Sequence, residues 1–590
     1  MLSSNKIILE ALAVLKEHGI EDFVLCPGSR NAPIVHTVCQ IKEFRTHRAT
    51  DERCAGFMAL GLALATGKPA VVVVTSGSAL ANLYPSACEA FYQHVPVIFV
   101  SADRPQAWIG QMDGQTMPQE GALGKMVKMS ASLPETDTWH ANRLVNEAVL
   151  EAQYKFPLGP VHINIPLSEP IYDFTADTLP RVRKIEYRET LLPLQAPWGL
   201  EKDVPAEDWS NSVLILGQAT PMDRLHPNIL LLTRKHITVI GENLCNQEAD
   251  LYTNASDIDW SRMKPVERVL TLGGHIVNKE LKDFFRKNKP KEHWHISHDG
   301  AVADLFGCQT AVIKSDYNKA LNIIFQDVNR KSKKLELPLK ESSGTNNKRT
   351  ALIQELFDTI PHTSLVHLAN SSTIRLAQHA RLKEYFDKEK HTSRRPYIFC
   401  NRGINGIEGS LSTTVGIAMA APQWQKVFAV VGDLSFFYDQ NAFWASPLPQ
   451  NLHILVFNDG LGGIFNTLPV PDAPDTSRQA IMGEHNLSAK HVAMLHNIRY
   501  LEGEENMHEF INSEETTILE IKENGKRKTE NGKLNQRSTP AGAKVKGENA
   551  KLPCQQGRSV LRPQDNRHDT IRTLHAASLL INRSSLNLKL

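Results

Sequence analysis

The chain has 590 residues, with 66 Lys and Arg against 64 Asp and Glu, 41% hydrophobic residues and 7% aromatics. That length exceeds one ordinary core and suits roughly three to five units, and no apolar run approaches the roughly twenty residues that a membrane-spanning helix needs. The 8 cysteines are scattered without a C-x-x-C pair, so their pattern supports neither a zinc site nor a disulfide framework.

Residues 1–19 read as an amphipathic helix capped near Ser3 to Asn5 and ending before Gly19. They lack the basic start and small-residue cleavage site of a signal peptide, and a cytoplasmic protein is the expectation. The run DFVLC (22–26) predicts a strand feeding Pro27-Gly28-Ser29-Arg30-Asn31, a tight loop that presents a hydroxyl and a guanidinium. An anion is one natural guest there; a surface turn is the other reading. Asp51, Glu52 and Arg53 then open a long helix of small and apolar residues. Glu52 is either a buried carboxyl suited to proton exchange or an acid that complements the helix dipole. Further strands are expected at AVVVV, at VPVIFVSAD ahead of Arg104, and at PVHINIP (160–166), with Gln115 in the loop beyond Arg104. This alternation of strand, loop and helix predicts a doubly wound parallel α/β domain over residues 1–187.

A proline-bearing linker from about Arg188 to Pro197 leads to a second, Rossmann-like α/β unit over 198–327. Its four strand-like runs are SVLILGQAT, HITVIGEN, RVLTLGG and HWHIS, and the first lacks G-x-G-x-x-G, which argues against a bound dinucleotide. His293, His295 and His298 crowd one probable strand and its end without a matching acid cluster, so they read as structural residues, not metal ligands. Lys279, taken by itself, is a solvated lysine. After a polar linker over 328–348, a third α/β unit is expected over 349–524, with Ser371 and Arg375 at a strand-to-helix junction, Arg402 and Ile407 in a glycine-rich loop, and TTILEIK (516–522) as its last strand.

Residues 427–465 hold the most informative pattern. Two short, β-branched, non-alternating runs, Val427 to Val431 and Leu452 to Phe457, read as buried parallel strands, so Asp433 and Asp459 fall just past two strand ends. Ligands of open α/β sheets bind there. Two carboxylates beside Gly460, Gly462 and Gly463 suit a hard divalent cation that keeps phosphate oxygens as further ligands. The plain alternative is a helix cap followed by a turn.

The combination resembles the thiamine-diphosphate-dependent decarboxylase family: a Glu opening a helix in the first α/β unit, a Rossmann-like middle, and Gly432-Asp433 followed by Asn458-Asp459 in the third. The segments CPGSRNAPI, TDERCAGFMALGLA, TSGSALANLYPS, SADRP, NRGINGIEGSLST and GDLSFFYDQNAF carry the likeness, which covers roughly residues 1–522 and points to the menaquinone-pathway branch of the family. Where the family usually has Asn, this chain has Asp459. The resemblance implies thiamine diphosphate with Mg2+ or Mn2+, the metal held by Asp433, Asp459 and the carbonyl of Leu461. Glu52 would hydrogen-bond the aminopyrimidine ring, and Ile407 would hold the cofactor bent. It also implies 2-oxoglutarate and isochorismate as substrates, bound by Ser29, Arg30, Arg104, Gln115, Lys279, Ser371, Arg375 and Arg402, with Ile464 and Phe465 as apolar walls at the cofactor. A homodimer or larger homo-oligomer is implied, since the family seats the cofactor between subunits. A related decarboxylase or carboligase acting on another keto acid stays open as an alternative.

The net charge of +2 hides an asymmetry. Residues 525–590 carry 14 Lys and Arg against 4 Asp and Glu, a net of +10, and residues 1–524 carry 52 against 60, a net of −8. The low apolar content of this tail predicts disorder. Its abrupt start points to a slipped reading frame, and a basic tail that touches nucleic acid is the second reading.

Overall fold

Three sheets form from the buried runs, and residues 1–188, 209–220, 223, 225–326, 328, 333–341, 347–383, 385–387, 392–463 and 475–523 are described by the computed structural model. Most of the first linker, Ile464, Phe465 and the basic tail lie outside the described residues.

The first sheet has six parallel strands in the order Arg45–Ala49, Asp22–Leu25, Ala70–Val74, Val97–Asp103, Val161–Pro166 and Ser130–Ser132. Its middle strands are buried on both faces, which is why Ala70–Val74 is a run of valines. The third sheet orders its parallel strands Tyr397–Phe399, Leu365–Leu368, Val427–Gly432, Leu452–Asn458, Thr517–Lys522 and Arg499–Glu502. Numbered along the chain, both sheets have the order 2-1-3-4-6-5, so the same topology occurs twice. The central sheet runs Ala311–Lys314, Glu292–Ser297, Arg268–Leu272, Ser212–Leu216, Thr238–Gly241, Thr253–Asn254, the 3-2-1-4-5-6 order of a Rossmann fold seen from its other edge. The doubly wound α/β expectation holds. The central sheet has four expected strands and, among the described residues, two more at its edges, Thr253–Asn254 with two residues and Ala311–Lys314 with four, both shorter than an ordinary strand signal.

Two equivalent crossover helices join the first sheet to the third. Glu52–Thr66 is capped by Asp51, whose Oδ1 accepts from Cys54 N, and ends at Gly67 in the left-handed region. It lies against Ser410–Ala420, and both helices are apolar nearly all round because each is buried on every side. Glycines allow the approach: a Cβ at Gly61 would stand 2.1 Å from the Thr413 carbonyl oxygen, and one at Gly416 would stand 2.1 Å from that of Met58. One apolar core therefore runs from Val24, Val72 and Phe99 through these helices to Val427, Ile454 and Ile518. Ala445–Ser446, close behind the third sheet's Val427–Gly432, pairs antiparallel with Arg48 and Ala49 at the edge of the first sheet.

Candidate active site

In both repeated sheets the winding reverses between the first and third strands, and open α/β sheets bind ligands at such a point. In the third sheet Val427 pairs with Leu452 and Gly432 with Phe457, so the register sets Asp433 beside Asn458 at the carboxyl edge. Gly460 adopts φ +74°, which turns the chain back over Asp433. Asp433 Oδ2 accepts from the amides of Asp459 (3.2 Å), Gly460 (2.8 Å) and Leu461 (3.2 Å), and Oδ1 accepts from Leu434 N at 2.7 Å. Burial, together with the Asp459 charge, pushes the Asp433 carboxyl up from the usual carboxylate range.

Asp459 is held from its other side. Its Oδ2 pairs with Arg349 Nη2 at 2.7 Å, while Arg349 also binds both carboxylate oxygens of Glu523. Its Oδ1 accepts from Leu461 N at 3.3 Å. A Cβ at Gly463 would stand 2.6 Å from Asp459 Oδ2, so that glycine leaves room for the carboxylate. Two close carboxylates, one of them desolvated and raised by the other, form a donor set that a hard divalent cation satisfies, and the Leu461 peptide lies beside them. These residues fit the implied metal. Ile407 is half-buried, and its carbonyl accepts from Ser435 Oγ at 2.6 Å, which ties the glycine-rich loop to the helix that Asp433 opens.

That loop is fixed from three directions. Glu89, 1% exposed, accepts from Gly403 N (2.7 Å) and Ile404 N (2.8 Å), and Asn370 Nδ2 donates to the carbonyls of Asn401 and Gly406. Arg402 is buried and donates to Asn370 Oδ1 at 3.0 Å, while its Nε has no hydrogen-bond partner among the described residues. Arg375 donates to the carbonyl of Ser371, a residue at φ +69°. Lys279 is exposed at the first helical position after Asn278, whereas Lys282, one turn on, reaches Arg402's surroundings. Burial lowers the Lys282 pKa, the Glu242 carboxylate opposes the shift, and Arg402 adds to it. Partial burial and then the Arg402 charge lower Arg375 too. Lys282 is thus a second candidate cation beside Lys279 on the same helix. Glu242, fully buried, accepts from Val277 N and Asn278 N; burial pushes its carboxyl up, against those bonds and the nearby Lys282 and Arg402 charges.

At the first sheet's reversal, Gly28 is required, since a Cβ would stand 2.4 Å from Thr75 Cβ. Arg30 is buried, donating to the Leu167 carbonyl at 3.1 Å and pairing with Glu169 at 2.9 Å, and Ser29 beside it is exposed. Arg104 is half-buried, 3.6 Å from Asp113, and Gln115 is exposed at φ +55°. Glu52 is half-buried and not the fully buried carboxyl that one reading held; its Oε2 accepts from Asn82 Nδ2 at 3.1 Å. Among the described residues it makes no hydrogen bond or ion pair with Asp433 or Asp459. Its neighbours bind the third unit instead: Asp51 accepts from Asn441 Nδ2 at 2.9 Å, and Arg53 donates to the Tyr438 carbonyl at 2.9 Å.

Residues 10–126 match the thiamine pyrophosphate enzyme, N-terminal TPP binding domain. Across most of the chain the sequence is similar to proteins named 2-succinyl-5-enolpyruvyl-6-hydroxy-3-cyclohexene-1-carboxylate synthase. One from Phocaeicola vulgatus is 42% identical, covering 86% of this chain and 92% of its own length. Another from Bacteroides thetaiotaomicron is 41% identical over 83% and 89%, and one from Flavobacterium johnsoniae is 34% identical over 86% and 94%. By these likenesses the chain belongs to the 2-succinyl-5-enolpyruvyl-6-hydroxy-3-cyclohexene-1-carboxylate synthase family of thiamine-diphosphate-dependent enzymes.

Proposed function

We propose that this chain decarboxylates 2-oxoglutarate and joins the remaining succinyl unit to isochorismate, releasing CO2, as a cytoplasmic step of menaquinone biosynthesis. Bound thiamine diphosphate supplies the electron sink for the decarboxylation. Asp433, Asp459 and the Leu461 carbonyl would hold Mg2+ or Mn2+, and Glu52 would hydrogen-bond the aminopyrimidine. Ile407 supports the cofactor from below. The observation that carries this reading is the carboxylate pair at the third sheet's reversal, set in a chain that also presents Arg402, Arg375 and Lys282 as partly desolvated cations. Both substrates are dicarboxylates, and guanidinium groups match carboxylates with two parallel hydrogen bonds. Arg30, Ser29, Arg104 and Gln115 supply a second such group at the first sheet.

The active unit is a homodimer in this reading. The resemblance, which implies a cofactor seated between subunits, supports that assembly. Family membership fixes the prior for the test: the full chain with thiamine diphosphate and Mg2+ consumes isochorismate and releases CO2 when given 2-oxoglutarate. Pyruvate as the preferred keto acid refutes the substrate assignment, and full activity in Glu52→Gln refutes the role of that carboxyl.

A further inference from the structure

The loop between Glu292–Ser297 and Ala311–Lys314 in the central sheet wraps around a histidine that the reaction above does not use. His293 is fully buried; its N–H donates to Thr310 Oγ1 at 3.0 Å, and its carbonyl accepts from Thr310 N at 2.8 Å. The buried ring of Phe306 lies 5.1 Å from the imidazole and anchors the loop over it. His293 Nε2 is 3.0 Å from Thr271 Oγ1, and that oxygen is 2.9 Å from His295 Nδ1. A hydroxyl has one proton, so it accepts from one ring and donates to the other. When it accepts from His293 Nε2–H, the Nδ1 of His293 carries a lone pair.

That Nδ1 is buried and has no hydrogen-bond partner among the described residues. It faces Asp304 Oδ1 at 4.0 Å, beyond hydrogen-bond reach, and the nearest ligand atoms of His293, Asp304 and Cys308 all lie within 4.8 Å of one another. The turn that carries the two loop ligands is tied to itself, since Asp304 Oδ1 accepts from Cys308 N at 2.8 Å and Gln309 N at 3.0 Å, so the two ligands move together.

We propose that His293 Nδ1, the Asp304 carboxylate and Cys308 Sγ form a site for a borderline transition-metal ion of the Zn2+ class, with water completing a tetrahedral set. Imidazole and thiolate together select such an ion over Mg2+ or Ca2+. Metal–ligand bonds of about 2.0–2.3 Å place tetrahedral ligand atoms roughly 3.5 Å apart. Closure therefore asks a movement on the order of 1 Å from Asp304 and Cys308, which are partly exposed on the loop. Thr271 accepts from the Nε2–H of the ligating tautomer behind the ring, and binding releases the Cys308 thiol proton to solvent. The metal would staple this loop to the central sheet.

Co2+ is the probe, added to the full chain in the presence of excess Mg2+ and thiamine diphosphate, which keep the carboxylate pair occupied. One equivalent is expected to give a near-ultraviolet cobalt–thiolate band, and Zn2+ is expected to raise the thermal midpoint. Cys308→Ser abolishes the band and the thermal shift, and His293→Gln weakens binding about tenfold or more. Cys308→Ser acts at the loop surface, so it keeps the test decisive if His293→Gln fails to fold. Absence of the band at a molar excess of Co2+, or a band that survives Cys308→Ser, overturns the assignment.

Discussion

Replacing Gly61 by alanine sets helix propensity against space. Propensity alone favours alanine inside Glu52–Thr66 by about 1 kcal/mol. Space opposes it, because the new Cβ would stand 2.1 Å from the Thr413 carbonyl oxygen and 2.9 Å from Ile417 N, both of them backbone atoms of the facing helix. Non-bonded heavy atoms settle at roughly 3.5–4.0 Å, so the helices must part by about 1 Å, and no side-chain rotation can relieve the contact. Overpacking of this kind costs about 1–3 kcal/mol, and a backbone obstacle belongs at the upper end, which leaves a net loss of roughly 2 kcal/mol after the propensity gain. The thermal midpoint of Gly61→Ala should fall, measured by circular dichroism at one scan rate. Gly416→Ala should fall alike, since its Cβ meets the Met58 carbonyl oxygen at 2.1 Å. Activity should fall with it, as Glu52 opens one of these helices and the loop bearing Arg402 and Ile407 leads into the other. An unchanged or raised midpoint in either variant would refute the packing argument.

Three further outcomes follow from the same contacts. Asp439 is fully buried, accepting from Ser412 N at 2.7 Å and Ser412 Oγ at 2.9 Å, and burial raises its carboxyl to about 6. The folded chain thus binds this proton more tightly than the unfolded chain, so about 3 kcal/mol of stability present below pH 4 is lost as pH rises through 6. Asp439→Asn should flatten the urea midpoint across that window, and an unaltered slope would contradict the assignment. Lys282→Met should raise KM for 2-oxoglutarate or isochorismate about tenfold with a smaller effect on kcat, whereas Lys279→Met should change either little; the reverse ranking would restore Lys279 to the cluster. Glu89→Gln leaves Gly403 N, Ile404 N and Gln93 Nε2 competing for one acceptor oxygen, a cost of about 1–3 kcal/mol. It should lower the thermal midpoint and raise KM through the loosened Arg402 loop, and wild-type values in both would remove Glu89 as its anchor.

Much of this architecture was legible in sequence because central parallel strands must be apolar on both faces. Ala70–Val74, Val427–Gly432 and Leu452–Asn458 announce themselves for that reason, and with them the strand ends that carry Asp433 and Asp459. Edge strands carry no such signal: Arg45–Ala49 reads RTHRA and is largely exposed, and Thr253–Asn254 is two residues long. Lys282 escaped notice because a lysine one helical turn along has the same local pattern as Lys279. Arg349, Glu523 and Glu89 escaped because their partners lie 110, 174 and 314 positions away or more, and spacing in the chain does not report such meetings. The repeated 2-1-3-4-6-5 order explains why the motifs come in two groups. Each sheet reverses its winding once, and each reversal offers one half-site: Arg30 and the Gly28 turn in the first sheet, Asp433 and the Arg402 loop in the third. The two crossover helices that carry or lead from these half-sites spend their mutual faces on each other at Gly61 and Gly416.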